Sequence, residues 1–338
     1  MGFIRPIGPI GVGTLRFKDR QEAICIVRRA IDLGFNYIDT APDYRYQSEE
    51  ENAEGWVGEA LSLGDYRQRV MLGAKCRPLE DSASVLRQSL KRLGQPYVDF
   101  YNMWAVHDLE TFSKSAPWFE RVQQYSHQWG SLGITSHADA VTIMEFLATG
   151  FFKAVTVPLN VINRSRLPVV DYCREHGIQV FAMNPFSGGM LAKEPKLREL
   201  SLTYLLKLEG VCALIGFSTL GEVEEVWRIA TEVESCTLTP EQIALEVERL
   251  TRVPPRHCTS CGYCAPCPEG ISLGECLSSF NMVCYFGSAE AKRDFLWRQW
   301  DPRFQLDRCQ ECLTCLSRCP NGLPLDEIIP EAKKVLYP

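Results

Sequence analysis

FNYIDTAPDYRYQSEE, residues 35–50, begins as a buried strand and turns polar at its fifth residue. Phe35, Tyr37 and Ile38 supply aromatic and β-branched side chains, and Asp39 ends the apolar run. Thr-Ala-Pro-Asp then turns the chain. Upstream, between Asp19 and Leu33, Ala23, Ile26, Val27, Ala30 and Ile31 recur at helical spacing. Gly34 stops that helix just before the strand. A helix, a glycine, a short buried strand and a polar loop form one unit.

The unit repeats. Strand candidates are PIGVGT (9–14), FNYIDT (35–40), VMLGAK (70–75), VDFYNMW (98–104), SLGITS (131–136), AVTVPLN (154–160), IQVFAMN (178–184) and CALIGFS (212–218). Helical stretches such as Glu50–Leu63, Ser82–Leu93 and Glu222–Val233 lie between them. The strands are nearly continuous apolar runs, as parallel strands covered on both faces are. Eight such steps between residue 8 and about residue 235 predict an α/β chain with a closed (β/α)8 TIM barrel. An open doubly wound sheet competes, but no G-x-G-x-x-G opens the first helix. Thr239-Pro240 starts another helix reaching Leu250, and RVPPRH (252–257) breaks the chain. The expected division is a barrel over 1–252 and a smaller, mostly α-helical domain over 253–338.

Composition excludes several classes. The 338 residues are 46% hydrophobic and 23% charged, ordinary for a folded chain. The net charge of −6 is scattered, with no basic stripe for nucleic acid. Apolar runs such as VCALIG (211–216) fall far short of the ~18 residues of a membrane span. MGFIRPIGPI (1–10) has no apolar helix of the signal-peptide kind, so a cytoplasmic protein is expected. Ten of the 15 cysteines lie between Cys258 and Cys319, whereas Cys25, Cys76, Cys173, Cys212 and Cys236 are scattered. In a reducing compartment clustering suggests metal and scattering suggests core.

Barrel active sites form at the C-terminal ends of strands. Asp39, Lys75 and Trp104 end the second, third and fourth strand candidates, with His107 three residues further on. Ser136 and His137 follow the fifth. Taken singly, Asp39 could cap a turn, Lys75 reach solvent and His107 decorate a surface loop. Together an Asp, a Tyr and a Lys make an acid. A free tyrosine has a pKa of ~10. A nearby ammonium favours the phenolate and lowers that value, and an aspartate holds the lysine charged.

NYIDTAPDYRYQSEE, GAKC, VDFYNMW, GITSH, VPLN, AMNPFSGGML and LIGFSTLGEVEE come in the order of an aldo-keto reductase barrel, which residues 8–235 resemble. The resemblance implies Tyr44 as proton donor or acceptor, Lys75 as its modulator and Asp39 as partner of Lys75. Tyr46 is the alternative to Tyr44. The family's fourth position is usually histidine, and Trp104 stands there instead. An indole N–H donates one hydrogen bond and cannot titrate. In this family such a replacement can shift chemistry from carbonyls to conjugated double bonds. The resemblance further implies a nicotinamide dinucleotide, with Ser136 and His137 at its carboxamide, Thr156 where a glutamine is usual, and Gly216, Phe217 and Ser218 at its phosphates. GFSTLGEVEEV (216–226) carries three glutamates and no cation for a 2′-phosphate, favouring NAD(H) over NADP(H), or no nicotinamide.

Two cysteine runs close the chain. Cys258-x2-Cys261-x2-Cys264-x2-Cys267-Pro268 is the first, and Cys309-x2-Cys312-x2-Cys315-x3-Cys319-Pro320 the second. The second has the bacterial ferredoxin spacing, in which the Cys before Pro ligates the other cluster. This assigns one [4Fe–4S] cluster to Cys258, Cys261, Cys264 and Cys319, and another to Cys309, Cys312, Cys315 and Cys267. Structural zinc, with paired C-x2-C knuckles, is the alternative. Between the runs Leu273, Cys276, Leu277, Phe280 and Cys284 share one helical face, as in α-helical ferredoxin domains. The whole resembles the aldo-keto reductase branch with a C-terminal iron–sulfur domain.

The expected protein is therefore an iron–sulfur oxidoreductase acting on a small carbonyl or conjugated substrate, with a redox protein as a further partner. Clusters move electrons singly and nicotinamide moves a pair, so coupling them needs a carrier such as a flavin; no flavin motif is visible. The alternatives are an electron-transfer or scaffold subunit with a non-catalytic barrel, and plain NAD-dependent carbonyl reduction beside structural clusters.

Overall fold

The computed structural model describes residues 6–45, 47–251, 253–254 and 257–338. The leader reading of residues 1–5 and the alternative proton donor Tyr46 lie outside the described residues.

Eight strands close in chain order into a parallel barrel, β8 pairing back onto β1. They are β1 Ile10–Gly13, β2 Tyr37–Asp39, β3 Met71–Cys76, β4 Val98–Trp104, β5 Trp129–Thr135, β6 Ala154–Pro158, β7 Gln179–Met183 and β8 Val211–Gly216. Each overlaps a stretch read as a strand from sequence; β3 runs one residue past it, and β5 and β8 start two residues and one residue before it. The helix before β2 spans Arg20–Asp32; Asp19 caps its start by accepting from the Glu22 amide. Gly34, at φ +96°, closes its end, and the Phe35 amide returns to the Ala30 carbonyl at 2.9 Å.

Period two sorts each strand into an inward and an outward file. Tyr37, Met71, Phe100, Ala154, Phe181, Cys212 and Leu214 pack together as a buried cluster in the barrel. Tyr37 stacks on Phe181 at 4.2 Å and meets Phe100 edge-on at 5.8 Å. Such volume fits only beside residues without side chains. A Cβ on Gly73 would lie 2.2 Å from the Tyr37 hydroxyl, and one on Gly133 2.0 Å from Asn102 Oδ1. Two residues further along the inward files come Asp39, Asn102, Thr156 and Gly216, and four residues further Lys75 and Trp104.

The chain divides into two compact units. One comprises residues 1–159, 165–185 and 202–240; the other comprises 160–164, 186–201 and 241–338. Sequence reading placed the change at 252/253. The second unit also takes in the stretches after β6 and β7, a long-range grouping that local periodicity does not encode. Its core joins Leu273, Cys276, Leu277 and Phe280 of the helix Leu273–Phe286 to Leu325, Ile329, Ala332 and Leu336 of the helix Leu325–Leu336. Cys284 packs half-buried against that core. Among the described residues no helix is long and apolar enough to cross a membrane.

Candidate functional site

Strand register builds the first site. Asp39 lies opposite Gly73 on β3, so Lys75 stands one inward step above it. Lys75 lies opposite Asn102 on β4, so Trp104 stands one step above that. The Lys75 ammonium pairs with the Asp39 carboxylate and donates to the Thr40 carbonyl at 3.1 Å. Tyr44 follows in the turn after β2, its amide on the Ala41 carbonyl at 3.1 Å. Lys75 Nζ lies 5.1 Å from the Tyr44 ring centre, and Trp104 meets that ring edge-on at 6.1 Å. The four residues that the resemblance grouped are therefore neighbours. Arg77 lies over the Trp104 ring at 4.6 Å and pairs with Asp43 at 2.7 Å.

Charge at this site runs opposite to the sequence expectation for tyrosine. Burial, then the Asp39 and Asp43 charges, push the Tyr44 phenol well above its ordinary pKa, with Arg77 opposing. Burial also pulls the Lys75 ammonium down, and Asp39 opposes that. The lysine charge is spent on Asp39, so Tyr44 stays a protonated donor. Asn102 Oδ1, Trp104 Nε1 and Thr156 Oγ1 are buried without hydrogen-bond partners among the described residues. Buried polar atoms of this kind are ordinarily met by water or a bound group.

The remaining barrel positions differ in what they offer. Ser136 is buried, its hydroxyl donating to the Val106 carbonyl and accepting from the Ala138 amide. His137 is buried with its ring 5.7 Å from that of His107. Burial, then the His107 and Arg166 charges, pull its pKa down to about 3, so the ring is neutral. Gly216 lies under the Arg16 side chain, where a Cβ would approach within 3.0 Å. Phe217 points away from the barrel interior and stacks with Phe35 at 6.4 Å. The Ser218 and Thr219 amides donate to Glu222 Oε2 at 2.6 and 3.3 Å, within the capping box of the helix Leu220–Glu232. A carboxylate thus already sits on the Ser218 amide, one of the three positions expected to take phosphate.

In the second unit the cysteines line two cavities. One is walled by Cys258, Cys261, Cys264 and Cys319 with Leu273, Leu277 and Leu323. The other is walled by Cys264, Cys267, Cys309, Cys312 and Cys315, with Ile271 and Leu306 beside them. All fifteen cysteines are free thiols. Burial and the neighbouring thiols push Cys258 up to about 12, whereas the Thr314 hydroxyl pulls the exposed Cys312 down. No three His, Cys, Asp or Glu side chains among the described residues converge closely enough to hold a single metal ion.

Residues 9–199 match the model of the Aldo/keto reductase family. The chain belongs to that family. L-galactose dehydrogenase of Arabidopsis thaliana is 25% identical over 68% of this chain and 84% of its own length. The NADH-specific methylglyoxal reductase of Escherichia coli is 27% identical over 54% of this chain. That match spans 61% of the Escherichia coli protein, and the one to the oxidoreductase YqkF of Bacillus subtilis spans 64% of YqkF. The aldo/keto reductase of Klebsiella pneumoniae, solved with NADP and acetate, shares the fold at a TM-score of 0.59 and 20% identity, covering 72% of this chain and 91% of that one.

Within this aldo/keto reductase barrel, sequence reading missed Asn102, Arg77 and Glu222. Asn102 is legible in hindsight as the inward position between Phe100 and Trp104. Thr219-x-x-Glu222 is a capping-box pattern visible in the sequence. Arg77 carries no local signal, because its partners come from the loop after β2 and the end of β4.

Proposed function

We propose that the chain is an aldo/keto reductase-type oxidoreductase in which Tyr44 moves the proton and the C-terminal unit holds two [4Fe–4S] clusters. The observation that carries the first part is the Asp39–Lys75 pair packed beneath the Tyr44 ring. A phenol kept protonated through neutral pH can donate to the oxygen of a carbonyl as it gains electrons, and its phenolate takes the proton back in the reverse direction. Asp39 and Thr40 fix the ammonium that holds this geometry. Trp104 replaces the usual histidine with a single N–H donor, which suits a small carbonyl or conjugated substrate held without proton transfer.

The thiol walls support the cluster assignment. Each cavity draws cysteines from both runs: Cys258, Cys261 and Cys264 with Cys319 in one, and Cys309, Cys312 and Cys315 with Cys267 and Cys264 in the other, in keeping with the crossed pattern of two-cluster ferredoxins. Zinc requires four ligands drawn to about 2.3 Å of one ion. The x2-x2-x3 spacing ending in Cys-Pro favours clusters over paired C-x2-C zinc knuckles. Bound nicotinamide supplies a hydride, and each cluster supplies electrons singly. The orphaned Asn102 and Thr156 atoms fit the nicotinamide end, whereas Glu222 disfavours a 2′-phosphate, so NADH is the expected dinucleotide.

A second reading makes the barrel a non-catalytic part of an electron-transfer subunit. The carboxylate on the Ser218 and Thr219 amides favours it. Anaerobic reconstitution with iron and sulfide, followed by NADH titration, separates the two. Bleaching of the cluster absorbance that Tyr44→Phe leaves intact, together with loss of turnover in that variant, supports the enzyme. Turnover unaffected by Tyr44→Phe rules it out.

A further inference from the structure

We infer that Ser187, in the stretch after β7, is a positioning residue for the first cysteine quartet: it fixes His257, the residue that opens the Cys258 loop. This rests on the cluster reading above. Ser187 belongs to the second unit, as do residues 241–338. Ser187 and His257 are 1% and 3% exposed. The Ser187 hydroxyl is hydrogen-bonded to His257 Nε2, and His257 Nδ1 lies 2.8 Å from the Pro254 carbonyl. A carbonyl only accepts, so Nδ1 carries the proton, and in the neutral ring Nε2 is then the acceptor. Ser187 therefore donates, and the imidazole is locked in one tautomer and one orientation.

The backbone is committed to the same contact. Ser187 has φ +50°, in the left-handed region that residues with side chains seldom enter. Such conformations persist only where the surroundings enforce them, and they gather at functional sites. Gly188 follows at φ +72°, where a Cβ would stand 2.9 Å from the Thr259 carbonyl oxygen. The stretch thus packs backbone against backbone on the segment between Cys258 and Cys261. From the other side Asn281 donates to the Cys258 carbonyl at 2.8 Å, and Asn321 to the Thr259 hydroxyl at 3.2 Å. These partners orient the loop, as outer contacts orient metal ligands.

The test uses the full chain, reconstituted anaerobically with ferrous iron and sulfide. Wild type should take about eight irons, and Ser187→Ala about four. The signal that Ser187→Ala keeps, in electron paramagnetic resonance after reduction, should be the one that Cys312→Ser removes, at an unchanged midpoint potential. Gly188→Ala should repeat this selective loss. Wild-type iron content and both signals in Ser187→Ala overturn the inference alone. Loss of both signals together in Ser187→Ala and Gly188→Ala also overturns it, because that is general destabilisation. A wild-type chain that takes no iron overturns the cluster reading and this inference with it.

Discussion

The ammonium of Lys75 lies 5.1 Å from the centre of the Tyr44 ring, yet its charge is committed to Asp39 beneath. Tyr44→Phe should therefore cost turnover about 10²–10⁴-fold while leaving the fold intact. Steady-state rates beside circular dichroism check this. A variant with more than half the wild-type rate removes Tyr44 from the chemistry.

The pair itself is a structural commitment. Asp39→Asn leaves a buried ammonium without its carboxylate, and breaking such a pair costs about 3–5 kcal/mol. Urea unfolding should show a markedly lower midpoint. An unchanged midpoint would mean that Lys75 finds another partner.

The raised Tyr44 pKa sets a pH profile. Substrate reduction needs the protonated phenol, so the rate should hold level across neutral pH and fall only above the ordinary tyrosine value of ~10. Arg77 opposes the rise, so Arg77→Ala should push the falling limb to higher pH still. A wild-type limb centred near pH 7 contradicts this.

His137 links stability to acid. Its folded pKa is depressed to about 3, below the unfolded value of ~6.5, so the unfolded chain binds the proton more readily between those values. Stability should decline as pH falls from about 6.5 toward 3, by at most about 1.4 kcal/mol per unit from this group. Melting temperatures of His137→Asn should fall less steeply with acid than those of wild type. Parallel curves would show that the ring does not titrate.

Glu222 guards the amides of Ser218 and Thr219. Glu222→Gln removes a negative charge where a 2′-phosphate would add one, and should move the NADPH-to-NADH preference toward NADPH on the order of tenfold. Dissociation constants for both dinucleotides measure it. No movement would place the adenosine ribose elsewhere.

What the sequence revealed depended on range. β2 has only three residues, yet it was legible because a helix, Gly34 and a polar loop bracket it. The order of strands followed from continuous apolar runs, and the site followed from strand ends. Lys75 was visible as a residue, but its loss of influence over Tyr44 was not, because that depends on Asp39 lying below it. Ser187 and His257 are 70 positions apart, so no spacing rule joins them. The grouping of the two cysteine runs around shared cavities was readable because each run is compressed into a short loop.

The crossed walls of the two cysteine cavities have a consequence for biogenesis. Neither set of four thiols exists on a nascent chain until synthesis has passed Cys315 for one and Cys319 for the other. The barrel sequence has by then long left the ribosome. On the proposed cluster assignment loading would follow translation, and a chain interrupted before Cys309 would carry three thiols of one site and one of the other.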